Sequence, residues 1–324
     1  MGPLPLVLYI NFSVQFLSSL FTVVFNTYTL RVQLKLEKAN TELTMLLAHV
    51  LLHFLFACPT VVHSGYQLFA IGESWTLMFY KCSPQVIHLL PLDDNRNHDL
   101  IFWTGVFAYS AIVSTGLADL FLGMDRFSAI TMPMAYRYRF KNKFAILAIT
   151  LCVSITVSMS TVIAMQRIEA PPEAIMFGAH IDVFIVSIHV NMNNALSLLN
   201  VTITCIFMFK LRKFHGNRST TTPVNTDLIK ANITVVYQML LALTFQITPT
   251  FTSSLVYFAL GWNWGLVLGP YPLTLLTVYI FSCSILYRIK LGTRVQLIKV
   301  SSAEATAVHK TIGSTNTRQI PAHQ

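Results

Sequence analysis

Fifty-seven consecutive residues, from Ala231 to Tyr287, carry no charged side chain. A water-soluble fold cannot hold such a run, because globular domains carry about a quarter of their residues as charges. One membrane-spanning helix needs only about 20 apolar residues. The run is therefore two spans joined by a tight turn. Gly261-Trp262-Asn263-Trp264-Gly265 supplies that turn: two glycines, an asparagine, and tryptophans that favour the headgroup level.

The same test applied to the rest of the chain finds five more spans. Helices are expected near residues 4–30, 43–70, 100–125, 144–166, 182–209, 231–260 and 265–287. The implied fold class is all-α, a seven-transmembrane helix bundle occupying residues 1–300. Of 324 residues only 11% are charged and 54% are hydrophobic, with a mean hydropathy of +0.60. Residues 1–30 hold no charge, so the basic start of a cleavable signal is missing and the first run reads as a retained helix. Met1-Gly2 is not followed by the Ser or Thr that myristoylation requires, since Leu6 stands there.

Lys and Arg set the expected orientation. Nineteen of the 22 fall on one side of the bundle and three (Lys81, Arg96 and Arg167) on the other. The crowded side is read as cytoplasm, which puts the N-terminus outside and the C-terminus inside a multi-pass plasma-membrane protein. The net charge of +9 lies in short clusters between apolar runs, so it reads as an orientation signal and not as a nucleic-acid surface. Residues 288–300 alternate basic and apolar side chains, as an amphipathic helix on the inner leaflet or a plain stop-transfer flank would. Residues 301–324 are expected to be a disordered cytoplasmic tail, and serines and threonines there and in 219–222 are candidate phosphorylation sites. No outer segment is long enough to fold by itself, so an external ligand is expected to be a small molecule held in the bundle.

Cys58, Cys152, Cys205 and Cys283 lie inside apolar runs and are expected to be buried small hydrophobes, leaving Cys82 in a polar loop. Of four Asn-x-Ser/Thr sites only Asn11 falls outside on this topology, with Asn200, Asn217 and Asn232 in membrane or cytoplasm.

At the inner end of the third helix stands Asp125-Arg126-Phe127-Ser128-Ala129-Ile130-Thr131-Met132-Pro133-Met134-Ala135-Tyr136. This stretch resembles the D-R-Y-x-x-I-x-x-P-x-x-Y pattern of rhodopsin-like G-protein-coupled receptors, with Phe127 in place of Tyr. The resemblance implies a switch formed by Asp125, Arg126, Phe127, Ile130, Pro133 and Tyr136, and a heterotrimeric G protein as partner. Physically, Arg126 is a permanent charge at the edge of a low-dielectric bundle, and Asp125 can offset the cost of holding it there.

Other landmarks of that family are partly kept. Asn26 is similar to its first-helix Asn, and Pro249 to its sixth-helix kink proline, with Ile247 where a Trp is usual. Tyr287 is what remains of its N-P-x-x-Y. The second helix has no Asp; His49 or His53 lies near the usual place. Arg167 to Ile181 contains no Cys, so the family's outer disulfide cannot form. A kept motif among eroded landmarks is similar to the nematode serpentine chemoreceptors.

Asp119 lies seven residues, nearly two turns, before Arg126 on the same face. An intramembrane carboxylate costs at least ~2.5–3.5 kcal/mol on insertion scales. It is expected either to pair with a second-helix His or to be protonated and hydrogen-bonded locally. His63, Tyr66, Phe107, Asp182, His189, Phe251, Tyr257 and Tyr271 are the candidates for a ligand pocket toward the outer half. No spacing supports a nucleophile elbow, a phosphate-binding loop or a metal triad, so neither catalysis nor a cofactor or metal is expected. The competing class is a channel or transporter, which would show ionisable groups along a path or repeated broken helices.

Overall fold

In a hydrocarbon solvent every backbone N–H and C=O must bond within its own segment, so apolar runs of this length fold as helices. The computed structural model describes residues 5–36, 44–81, 97–136, 140–169, 176–216, 226–261 and 268–289. Among them, seven helices are long and apolar enough to cross a membrane. They are α1 (Pro5–Leu36), α2 (Thr44–Lys81), α3 (His98–Thr131), α4 (Lys141–Met165), α5 (Val183–Gly216), α6 (Thr226–Leu260) and α7 (Tyr271–Ile289).

α3 is the central strut. It is the most deeply buried of the seven and packs against α2, α4 and α5, while α1 lies on α2. α3 continues past Arg126 to Thr131, further than its uncharged run. Asn97 caps its start by accepting a hydrogen bond from Leu100 N at 3.0 Å. The end of the bundle that carries Asp125-Arg126 is called the motif end, and the opposite end the far end.

α6 is not a uniform helix. Thr226–Ala242 is α-helical, Leu243–Ile247 widens into a π turn, and Thr248–Leu260 resumes the α-helix. Pro249 lies just beyond that turn. Its ring has no N–H and would clash with the carbonyl four residues back, and the wider turn makes room for it. Gly261 then ends α6 at φ +67°, a left-handed conformation that glycine adopts without penalty.

At the far end the connection from α4 folds back on the bundle. Arg167 and Ile181 form an antiparallel bridge, and Ile168 N donates to His180 O at 3.0 Å. The one-turn helix Phe177–His180 pushes Phe177 between the helices, stacked on Tyr109 with centroids 4.7 Å apart. Gly105 makes this possible, because a Cβ there would stand 2.2 Å from the Phe177 ring. The segment is tied to α3 without a disulfide. Arg167 pairs with Asp99 and lies 4.8 Å over the Phe102 ring, and His180 meets His98 with centroids 5.4 Å apart.

One expectation about the cysteines is corrected. Cys205 is exposed on α5 and Cys58 is only half-buried, whereas Cys152 and Cys283 are buried; an apolar run in this bundle has a face turned outward as well as one turned in. Asn11 lies within α1 and is engaged in the bundle, its amide nitrogen donating to Leu268 O at 2.7 Å and its oxygen accepting from Thr274 at 2.9 Å. Cys82, residues 219–222 and everything beyond Ile289, including the 288–300 segment from residue 290 onward and the tail, lie outside the described residues.

Candidate functional site

The candidate side chains are gathered around α3. At the motif end Arg126 Nη2 stands 2.9 Å from Asp125 Oδ2, and both side chains are buried. Pro133 opens a single helical turn, Pro133–Ala135, whose fixed φ suits a first helical position. That turn returns Tyr136 to the bundle, where its hydroxyl donates to Asp125 Oδ1 at 2.7 Å. Phe127 and Ile130 are half-buried against the main apolar core. The six motif residues thus form one assembly: a buried ion pair, a tyrosine that holds its carboxylate, and two apolar anchors.

Two turns deeper lies a polar cluster inside the apolar bundle. His49 Nε2 on α2 stands 2.7 Å from Asp119 Oδ1 on α3. The same oxygen accepts from Tyr279 OH on α7 at 2.7 Å and from Gln238 Nε2 on α6 at 2.9 Å. Tyr287 OH donates to Gln238 Oε1 and lies within hydrogen-bond distance, 3.1 Å, of His49 Nδ1. Gln238 Nε2 also lies 3.2 Å from His49 Nε2, so that one nitrogen faces both the Asp119 carboxylate and the Gln238 amide. His53 packs edge-on against His49, centroids 4.0 Å apart. Hydrogen bonds are worth about 0.5–1.5 kcal/mol each, so three converging on one oxygen go far toward offsetting the intramembrane cost of Asp119. Four helices meet at one carboxylate.

His49 and His53 both lie at this cluster, and Tyr287 closes it from α7. Asn26 is buried nearby on α1 and donates to Val50 O of α2 at 3.4 Å. Gln238 and Tyr279 carry two of the cluster's four helices and were not singled out from sequence. Gln238 is one of few strongly polar residues in the uncharged run, and Tyr279 stands two turns before Tyr287 on α7, which is the signal that marks them.

At the far end His63 is buried and bonds to Thr104 at 3.1 Å. Phe12, Tyr109 and Phe177 each lie about 6 Å from it, at 6.2, 6.0 and 6.2 Å between centroids. His189 is half-buried on α5, with both ring nitrogens enclosed. Tyr66 reaches Asn97 O at 3.4 Å, and Tyr271 is half-buried at the start of α7. Three of the pocket candidates lie elsewhere. Phe107 and Phe251 are 55% and 68% exposed on the outside of the bundle, so they do not line an interior pocket. Asp182 is exposed and caps α5, accepting from Phe184 N at 2.7 Å. The side chain of Tyr257 lies outside the described residues.

Seven spans, a buried Asp-Arg pair at one end and a polar hub between four helices define a multi-pass membrane protein. Residues 68–259 match the family model of the serpentine-type seven-transmembrane GPCR chemoreceptors, Srsx. That is more than half of the chain, and the protein belongs to this family of chemoreceptors. Among curated proteins no match is found.

Proposed function

We propose that this chemoreceptor binds a small molecule among its helices and activates a heterotrimeric G protein at the motif end, which faces the cytoplasm. The carrying observation is the buried Asp125–Arg126 pair held by Tyr136. A permanent cation at 4% exposure is a stored binding group: helix movement that loosens the pair exposes it to a partner. The Asp119 hub supports the same reading, since it links α2, α3, α6 and α7 and can pass a rearrangement among them. The ligand site is placed at the far end, around His63, Tyr109 and Phe177, where aromatic walls surround one hydrogen-bonding imidazole. Such a site suits a small, largely apolar molecule with one polar group.

The test is G-protein activation in cells expressing wild type or Arg126→Ala, over a panel of small odorants and metabolites. A ligand-evoked response that falls to background in the variant at equal surface expression is expected. A G-protein response retained by Arg126→Ala would overturn the role of the Asp125–Arg126 pair, and a ligand-evoked current without G protein would overturn the reading in favour of a channel.

A further inference from the structure

We infer that His49, His53 and Asp119 form an intramembrane site for a late first-row divalent metal ion, of which zinc is the probe. All three side chains are buried, and their nearest donor atoms lie within 4.8 Å of one another. The two histidines stand one helical turn apart on α2, an arrangement that turns both rings to the same side. Asp119 faces them from α3.

The hydrogen-bond inventory points to a missing occupant. His53 is fully buried, yet neither of its ring nitrogens has a partner among the described residues. Asp119 Oδ2 is also without one, although Oδ1 accepts three bonds. Buried polar atoms are normally satisfied, and orphans clustered at one spot call for an explanation such as an ion. An ion there would take His49 Nε2, one nitrogen of His53 and Asp119 Oδ2, in place of the direct His49–Asp119 contact.

The donor set selects the metal. Two imidazoles and one carboxylate suit zinc and its neighbours, whereas sodium, magnesium and calcium prefer all-oxygen sites. Ligands about 2.0–2.1 Å from a tetrahedral zinc stand roughly 3.3 Å apart, so closing the site requires side-chain shifts of about an ångström. The surroundings are already those of a metal site. Tyr287 orients His49 through Nδ1, and Tyr279 and Gln238 hold the carboxylate through Oδ1, as outer partners of metal ligands do. Three protein ligands leave a fourth position open. A bound ion would fasten α2 to α3 at the hub.

The experiment uses the full chain purified in detergent, incubated with zinc or with EDTA and freed of excess metal. Metal content is then read by mass spectrometry and Tm by thermal unfolding. One zinc per chain is expected, with Tm higher than in EDTA by about 5 °C or more and no comparable shift with magnesium or sodium. His53→Phe keeps the ring volume, breaks no hydrogen bond present in the structure, and should lose the zinc while keeping the EDTA-state Tm. Zinc retained equally by His53→Phe would mean an adventitious surface ion and overturn the proposal, as would a wild type that retains none. Should His53→Phe fail to fold, the comparison of zinc with magnesium on the wild type decides. None of these readouts depends on signalling.

Discussion

Tyr136 holds the carboxylate that holds Arg126. Its hydroxyl donates to Asp125 Oδ1 at 2.7 Å, and it comes from outside α3. Tyr136→Phe removes that bond and keeps the ring. The loss of about 1–2 kcal/mol corresponds to a factor of roughly 5–30 in a two-state equilibrium. Ligand-free G-protein activation should therefore rise by up to about that factor, and a basal rate equal to wild type would show that Tyr136 does not restrain the switch. This arrangement is readable in the sequence because it is linear: twelve residues contain the pair, the turn-forming Pro133 and the tyrosine. The hub is different. His49, Asp119, Gln238, Tyr279 and Tyr287 come from four helices, and only their conjunction gives any of them a partner.

At the level of single helices, legibility depends on which physical rule is at work. Span number follows from length and hydropathy, which are local. Rotation of each helix about its axis is not local, because lipid outside and apolar core inside demand the same side chains. A helix apolar all round carries no phase in its pattern. That is why Phe107 and Phe251 read as pocket residues and yet face outward. The break in α6 belongs to this scale too. Pro249 signals an interruption, but the π turn at Leu243–Ile247 absorbs it one turn earlier. Pro249→Ala restores a donor and removes the clash that the wider turn relieves, which favours an unbroken helix. A higher Tm and a lower maximal ligand response are expected together. An unchanged maximal response at higher Tm would show that the break serves packing and not activation.

For the whole molecule, the far end is coupled to pH. Burial, then the neighbouring His98 and Arg167, hold the His180 imidazole below its ordinary value of 6.5, with Asp99 pulling the other way. The folded arrangement thus favours the neutral ring. Its stabilisation is fully present above pH 6.5 and is lost as pH falls below that value toward the lowered one. Thermal unfolding of the purified receptor between about pH 7.5 and 5.5 should show a fall in Tm that is shallower in His180→Phe. Parallel curves for the two proteins would exclude His180 as the source.

Phe177 carries a further consequence for sensing. At the ligand site proposed beside His63 and Tyr109, a side chain of the receptor itself is already seated. A tethered competitor on a short connection acts at an effective concentration in the millimolar range. The apparent dissociation constant of a ligand at that proposed site is its intrinsic one divided by the fraction of time that this seat is vacant, so binding there is weakened. At the ligand site proposed above, sensitivity would thus be set by how readily the protein's own phenylalanine gives way, and the working range would shift toward higher stimulus concentrations.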